Sequence, residues 1–251
     1  MTPAASAPLD AATLDRFARD YYLSGTVDDE AIEDLQQVRS LDLLAEAVAG
    51  CARVLELGYG MGRTTTGLRE RGVAIDVLEG SPLLAARARA AHPGLTVHEG
   101  LFEEWTPPAA YDAVLALHVA EHVDDPRALL RRIASWVRPG GRVVVVVPNA
   151  ESLHRRLAVR MGLQPRLDSL SPRDELVGHQ RVYALDELRA DVEAAGLRCG
   201  AELGWFLKTL PNAMMLDFPP ALLEALFSVS EELDPRTLAN IGVVAERPAA
   251  G

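Results

Sequence analysis

Three side chains capable of proton or metal chemistry fall together in LHVAEHVDDP (residues 117–126), namely His118, Glu121 and His122. An imidazole titrates close to neutral pH, so either histidine can take a proton from a reacting hydroxyl or amine. Imidazole and carboxylate also suit a divalent cation, which would lower the pKa of a bound hydroxyl. Were one to bind, His118, Glu121, His122 and the distant His179 of GHQRVY would be its ligands. The rival use is structural, with Glu121 and His122 capping the next helix or bonding the strand end. That rival is preferred for these two residues, so a divalent metal is an option that is not favoured.

A second group with chemical meaning is VLELGYGMGRTTTGLRERG (residues 54–72), an apolar run, three glycines at alternate positions and a basic helix. Glycines between a strand and a helix N-terminus let a backbone approach a nucleotide closely. Here the spacing is Gly58, Gly60, Gly62, followed by Arg63, whereas a dinucleotide fingerprint wants a small residue at that last position. Glu56 precedes the first glycine by two residues, where a carboxylate opposes a pyrophosphate but suits a cationic group. Both features point away from a nicotinamide cofactor. Glu79 closes the next strand about twenty residues on, the usual place for an acid that accepts ribose hydroxyls.

Strand-like runs (RVLEL, AIDVLE, LTVHEG, AVLALH, RVVVVVP) alternate with helix-like ones, which means an α/β fold with a parallel sheet and crossover helices. The run VVVVV (143–147) is apolar on both faces, as a central parallel strand should be. RPGG at 138–141 is expected to end the preceding helix and turn the chain into that strand. Residues 1–8 are rich in Ala, Pro and Ser and are expected to lack structure, and helical spacing follows from about residue 10 to 49. Residues 148–183 interrupt the alternation with a short helix and a polar loop. A helix and two last strands complete the chain.

The ordered set of E-x-G-x-G-x-G, the acid in VLEGS, YDAVLALHVAEHVDDP and VRPGG resembles the class I S-adenosylmethionine-dependent methyltransferases, close to a branch with an EHV-DP signature. The resemblance runs from about residue 51 to 205. It implies a Rossmann-like, doubly wound, seven-stranded sheet in the order 3-2-1-4-5-7-6 with the last strand antiparallel. N-terminal helices (1–50), a cofactor core (51–147), an insertion after strand 5 (148–183) and a C-terminal part (184–251) would form one domain. S-adenosylmethionine would then be the cofactor. Glu56 would face its amino group or order water there, and Gly58, Tyr59, Gly60 and Gly62 would line the methionyl and ribose portions. Glu79 would hold the ribose, with Gly80 and Ser81 beside the adenine, and Leu117 and His118 would complete the pocket. Family members usually place an acid after the glycine that ends the third strand. This chain has Leu101 after Gly100, so adenine recognition would rest on backbone groups of Leu101 and Phe102, or on Glu103. The His118, Glu121, His122 spacing is also similar to that of metal-assisted methyltransferases.

For the reaction, His118, His122 and His179 are the candidate proton acceptors. Tyr21 and Tyr22 are candidates to close over the sulfonium and the substrate, because aromatic faces attract cations, with ordinary core packing as the equal alternative. Arg155, Arg156, Arg160 and Arg166, with no acid between 152 and 166, could form a cationic patch for a substrate carboxylate or phosphate, although a solvated helix face fits them as well. Trp205, Phe206, Met214 and Met215 are expected in the core. The expected reaction is O-methylation of a small molecule, a sugar or a specialised metabolite. An N-methyltransferase of an amine metabolite and a non-catalytic, cofactor-binding regulatory protein are the alternatives.

A net charge of −11 and a pI near 5.0 oppose a diffuse grip on nucleic acid. Only Cys51 and Cys199 occur, without a CxxC spacing, which fits a reducing cytoplasm better than a disulfide framework. The start MTPAASAPLD has no signal-peptide pattern, and no run approaches the length of a membrane span. The expected partner is a small-molecule substrate, and the insertion is a candidate lid or a contact between two copies in a homodimer.

Overall fold

A computed structural model describes residues 10–23 and 30–249. The first eight residues, expected to lack structure, lie outside that range. Helix α1 (Ala11–Phe17) continues through one π-helical turn to Tyr22, and α2 (Glu30–Ala47) follows. Then come β1 (Val54–Leu57), α3 (Arg63–Glu70), β2 (Ile75–Glu79), α4 (Pro82–Ala91), β3 (Val97–Glu99), β4 (Tyr111–Leu117) and α5 (Pro126–Trp136). The chain ends through β5 (Val137–Pro148), α6 (Leu153–Arg160), α7 (Pro172–Leu176), α8 (Leu185–Ala194), β6 (Arg198–Trp205), α9 (Pro220–Ser230) and β7 (Asn240–Glu246).

The seven strands form one sheet in the order β3-β2-β1-β4-β5-β7-β6, the order anticipated. Neighbours from β3 to β5 pair parallel, and β7 pairs antiparallel with both β5 and β6. Strand side chains point alternately to the two faces, and the valine run shows it. Val143, Val145 and Val147 pack with Leu129, Ile133, Leu185 and Leu188 of α5 and α8. Val144 and Val146 pack on the other face with the cluster that includes Ile32, Leu41, Leu44 and Leu68 of α2 and α3. Continuous hydrophobicity in a short strand therefore marks burial on both sides.

The RPGG segment departs from expectation. Helix α5 ends at Trp136 and β5 begins at Val137, so RPGG is an irregular start to the strand, with a register shift opposite Tyr111 and Ala113. Gly140 takes φ +73°, and a Cβ at Gly141 would come within 2.9 Å of the carbonyl oxygens of Arg138 and Asp112. Only glycine fits that crowded corner. Arg63, anomalous for a dinucleotide turn, opens α3 and makes two hydrogen bonds to Asp34 of α2. It ties the N-terminal layer to the glycine turn. Trp205, Phe206 and Met215 are buried as expected, whereas Met214 is half exposed. No helix among the described residues is long and apolar enough to cross a membrane.

Candidate active site

The strand order reverses between β1 and β4, and open α/β sheets place ligands at the carboxyl ends of strands beside such a switch point. The glycine turn lies there. Gly58, Gly60 and Gly62 all have positive φ, at 79°, 52° and 78°. A side chain at any of them would strain the backbone. Tyr59 buries its ring, which meets the His92 ring edge to face and fills the space a Cβ on Gly62 would enter, at 2.3 Å. Its contribution to the turn is its backbone N–H, which Glu79 accepts at 2.7 Å.

Glu79 organises this end of the sheet. Its second oxygen accepts the Ser81 N–H at 2.7 Å, so the carboxylate spans the turn after β1 and the start of α4. Burial pushes its pKa up, and the N–H groups of Tyr59, Ser81, Gly80 and Gly60 pull the other way. The Tyr59 and Ser81 bonds take one acceptor site on each carboxylate oxygen. Helix α1 lies across the same region. Leu14 packs on Gly80, where a Cβ would meet it at 2.5 Å, and Leu101 stands 3.4 Å from that point. Asp15 accepts from the Ser81 hydroxyl and from the Leu83 N–H. The Tyr22 ring comes 3.8 Å from a Cβ built on Gly60. The side chain of Tyr21 lies outside the described part of the structure. Beyond Gly100, the Phe102 side chain packs on the core and its carbonyl accepts from Arg132.

Glu56 points to the α3 face of β1, where the Thr65 hydroxyl donates to it at 2.5 Å. Burial pushes its carboxyl up to about 8, the Thr65 bond opposes this, and the charge of Glu79 adds to it. A buried carboxyl of this kind holds its proton at neutral pH, and a cation brought beside it would favour the ionised form. Between pH 4.5, where the unfolded carboxyl ionises, and about 8, only the folded state holds the proton. Stability without ligand should therefore fall as pH rises through this window, by up to ~1.4 kcal/mol per pH unit. Denaturant unfolding of the wild type and Glu56→Gln checks this: the difference between the two curves should slope across the window, and parallel curves would refute the assignment.

The second part of the site gathers at the end of β4. Leu117 closes the strand half-buried, and His118 follows with φ 55°, a strained value for a residue with a Cβ, held by its N–H to the Val146 carbonyl at 2.8 Å. The His118 ring is about two-fifths exposed, and its Nδ1 lies 3.3 Å from Oε1 of Glu121. Burial lowers the pKa of His118, but the Glu121 carboxylate and the charge of Glu33 on α2 outweigh it, and the net shift is upward. Glu121 is fully buried, and neither carboxylate oxygen has a hydrogen-bond donor. Burial raises its pKa, yet His118, His122 and His179 together hold it below its ordinary value.

The insertion after β5 supplies the rest. His179 Nε2 is 4.0 Å from Glu121 Oε1, and the His122 and His179 rings meet edge to face at 4.8 Å. His179 Nδ1 bonds Asp174 at 2.9 Å, and Asp174 is paired with Arg155 at 2.6 Å. Gln180 and Arg181 then stitch the insertion to the loop after β4, with Gln180 bonding the Glu121 and His122 carbonyls and Arg181 those of Ala120, Val123 and Asp124. Composition alone gave no reason to select Asp174, Gln180 or Glu33.

Two expectations are corrected here. The capping role offered for Glu121 and His122 belongs to Asp125, whose side chain accepts the Ala128 N–H. The cationic patch does not form either. Arg155 is buried against Asp174, Arg156 bonds the Glu151 carbonyl and faces its carboxylate, and Arg166 pairs with Asp168. Glu151 and Asp168 flank the basic run in sequence, whereas Asp174 reaches Arg155 from α7, a pairing that only the fold reveals.

The fold and the glycine-turn site define a class I S-adenosylmethionine-dependent methyltransferase. A methyltransferase-domain family matches residues 27–202, and the chain belongs to that family. It is 36% identical over 103 residues to a ubiquinone biosynthesis O-methyltransferase of Aeromonas salmonicida, covering 39% of this chain and 43% of that one. With its Xylella fastidiosa counterpart (strain 9a5c) the identity is 32% over 161 residues, 59% of this chain and 61% of the relative. The chain thus matches about half the length of these relatives. In fold it is similar to the CcbJ methyltransferase from Streptomyces caelestis, with TM-score 0.63 and 19% identity over 96% of this chain and all of that one.

Proposed function

We propose that this protein transfers the methyl group of S-adenosylmethionine to a hydroxyl of a small molecule, a sugar or a specialised metabolite. The observation that carries the choice of oxygen is the His118–Glu121 pair, an exposed imidazole backed by a buried carboxylate beside the glycine turn. A hydroxyl is a weak nucleophile until its proton leaves, whereas a neutral amine attacks without help. In the proposed step, oxygen attacks the methyl carbon and the C–O bond forms as the C–S bond breaks. The electron pair returns to sulfur, the sulfonium becomes the neutral thioether of S-adenosylhomocysteine, and the hydroxyl proton passes to His118.

On this reading Glu79 holds the ribose, Glu56 lies toward the amino group, and Leu14, Gly80 and Leu101 flank the adenine. Tyr22 covers the methionyl side, and the 148–183 insertion borders the substrate. Alignment is the main service required, because the sulfonium already carries a good leaving group. The names of the ubiquinone O-methyltransferases support oxygen as acceptor. The test is an acceptor panel of phenols, sugars and amines incubated with S-adenosylmethionine and read by mass spectrometry. Methylated phenol or sugar with equimolar S-adenosylhomocysteine is expected. Turnover confined to amines would replace the oxygen assignment, and cofactor binding without any turnover would favour a regulatory protein.

A further inference from the structure

We infer that Glu33 of α2, held by Asn212, is a subsite for an ammonium group of the methyl acceptor, which is then a hydroxyl compound that also carries a basic nitrogen. The cation site stands on these side chains and their placement; its occupation by an acceptor rests on the function proposed above.

Placement is the first ground. Helix α2 is pinned on both sides of Glu33. Asp34 accepts two hydrogen bonds from Arg63, which opens α3 directly after the glycine turn. Gln36 accepts from Asn240, which pairs with Pro148 where β7 begins beside the carboxyl end of β5. Glu33 lies three residues before Gln36, on the same side of the helix. It is thereby carried to the carboxyl ends of the strands, where His118 follows β4. Its charge acts on the His118 imidazole.

Charge is the second ground. Asp34 and Asp42 of the same helix each pair with an arginine, at 2.5 and 2.7 Å. Glu33 takes a neutral donor instead, because Asn212 Nδ2 donates to its Oε1 at 2.6 Å. Among the described residues no lysine or arginine pairs with it. The amide that fixes it is itself buried, in the short turn Asn212–Met214 after β6. An amide holds a carboxylate in place without balancing its charge. A half-buried carboxylate left in that state attracts a cation more strongly than one in open water, since its surroundings screen it less.

Chemistry is the third. An ammonium offers three donors and has no lone pair. Bound at Glu33, the acceptor's nitrogen is withheld from methyl transfer, and a hydroxyl elsewhere in the molecule is left to reach His118. An acceptor with a carboxylate or phosphate in that position would meet repulsion instead.

The test uses probes that differ in one group: tyramine, its neutral analogue 4-ethylphenol, and the anionic 3-(4-hydroxyphenyl)propionate. Each is titrated calorimetrically into the full chain, with and without S-adenosylhomocysteine. D-Glucosamine and N-acetyl-D-glucosamine repeat the comparison on a sugar. The wild type should bind the ammonium member of a series at least ~10-fold more tightly than the neutral one. Glu33→Gln, which keeps an acceptor for Asn212, should weaken the ammonium probe by about 10- to 100-fold and leave the neutral one unchanged. Glu33→Lys should turn the preference toward the anion. Circular dichroism melting confirms folding, and should Glu33→Lys fail to fold, Glu33→Gln carries the test. No ammonium preference in either wild-type series would overturn the inference, as would a preference that survives in folded Glu33→Gln. A loss confined to S-adenosylmethionine, with S-adenosylhomocysteine and the ammonium probes unaffected, would assign Glu33 to the donor's sulfonium and overturn it too. Absence of turnover on every acceptor would defeat the proposed oxygen methylation without altering these binding results.

Discussion

His118→Ala is expected to lower kcat by about 10²- to 10⁴-fold, the range ordinarily supplied by a positioned acid or base. Affinity for S-adenosylhomocysteine should change far less, because the proposed function assigns the nucleoside contacts to Glu79 and the glycine turn. The pH profile is the more telling readout. His118 must be neutral to accept a proton, and its pKa lies above the ordinary 6.5 because Glu121 and Glu33 outweigh its burial. Wild-type kcat should therefore rise with pH through a midpoint above 6.5 and then level, and the variant should lack that limb. Rates on a hydroxyl acceptor that match the wild type at every pH would remove His118 from the chemistry.

Glu79→Ala should act on binding and on the turn together. Hydrogen bonds to a charged group contribute about 1.5 to 3 kcal/mol each, so losing both ribose hydroxyl contacts should weaken S-adenosylmethionine by roughly 10²- to 10⁴-fold. The N–H groups of Tyr59 and Ser81 would also lose their acceptor, at about 1 to 3 kcal/mol each where water cannot replace it. Calorimetric titration and denaturant unfolding separate these effects. Binding within a few-fold of wild type in a folded variant would mean that the ribose lies elsewhere.

The parts of the fold that were legible in the sequence are those fixed by local periodicity. Val143 to Val147 announced a strand buried on both faces, and the alternation of strands with helices announced the parallel sheet. The glycine turn was legible for the same reason: positive φ at three alternate positions demands a residue type. What failed to show depends on which distant groups meet. Arg155 looked like a surface cation because its immediate neighbours carry no acid, while its partner Asp174 arrives from α7. The burial of the Tyr59 ring over Gly62 was likewise invisible, because the spacing of the turn does not say where its one large side chain packs. Glu33 reaches the neighbourhood of His118 from α2, far away along the chain, and nothing in its local surroundings marked it.

Asp15 of α1 is bonded to Ser81, and Ser81 donates its N–H to Glu79. If Glu79 holds the ribose as proposed, docking of the first helix and occupancy of the nucleoside pocket meet at Ser81, and linkage between two such equilibria is reciprocal. A docked helix holds the pocket in shape, and a filled pocket holds the helix down. On that proposal turnover carries a conflict of interest: a clasp that helps retain a fresh methyl donor would also delay departure of the spent one.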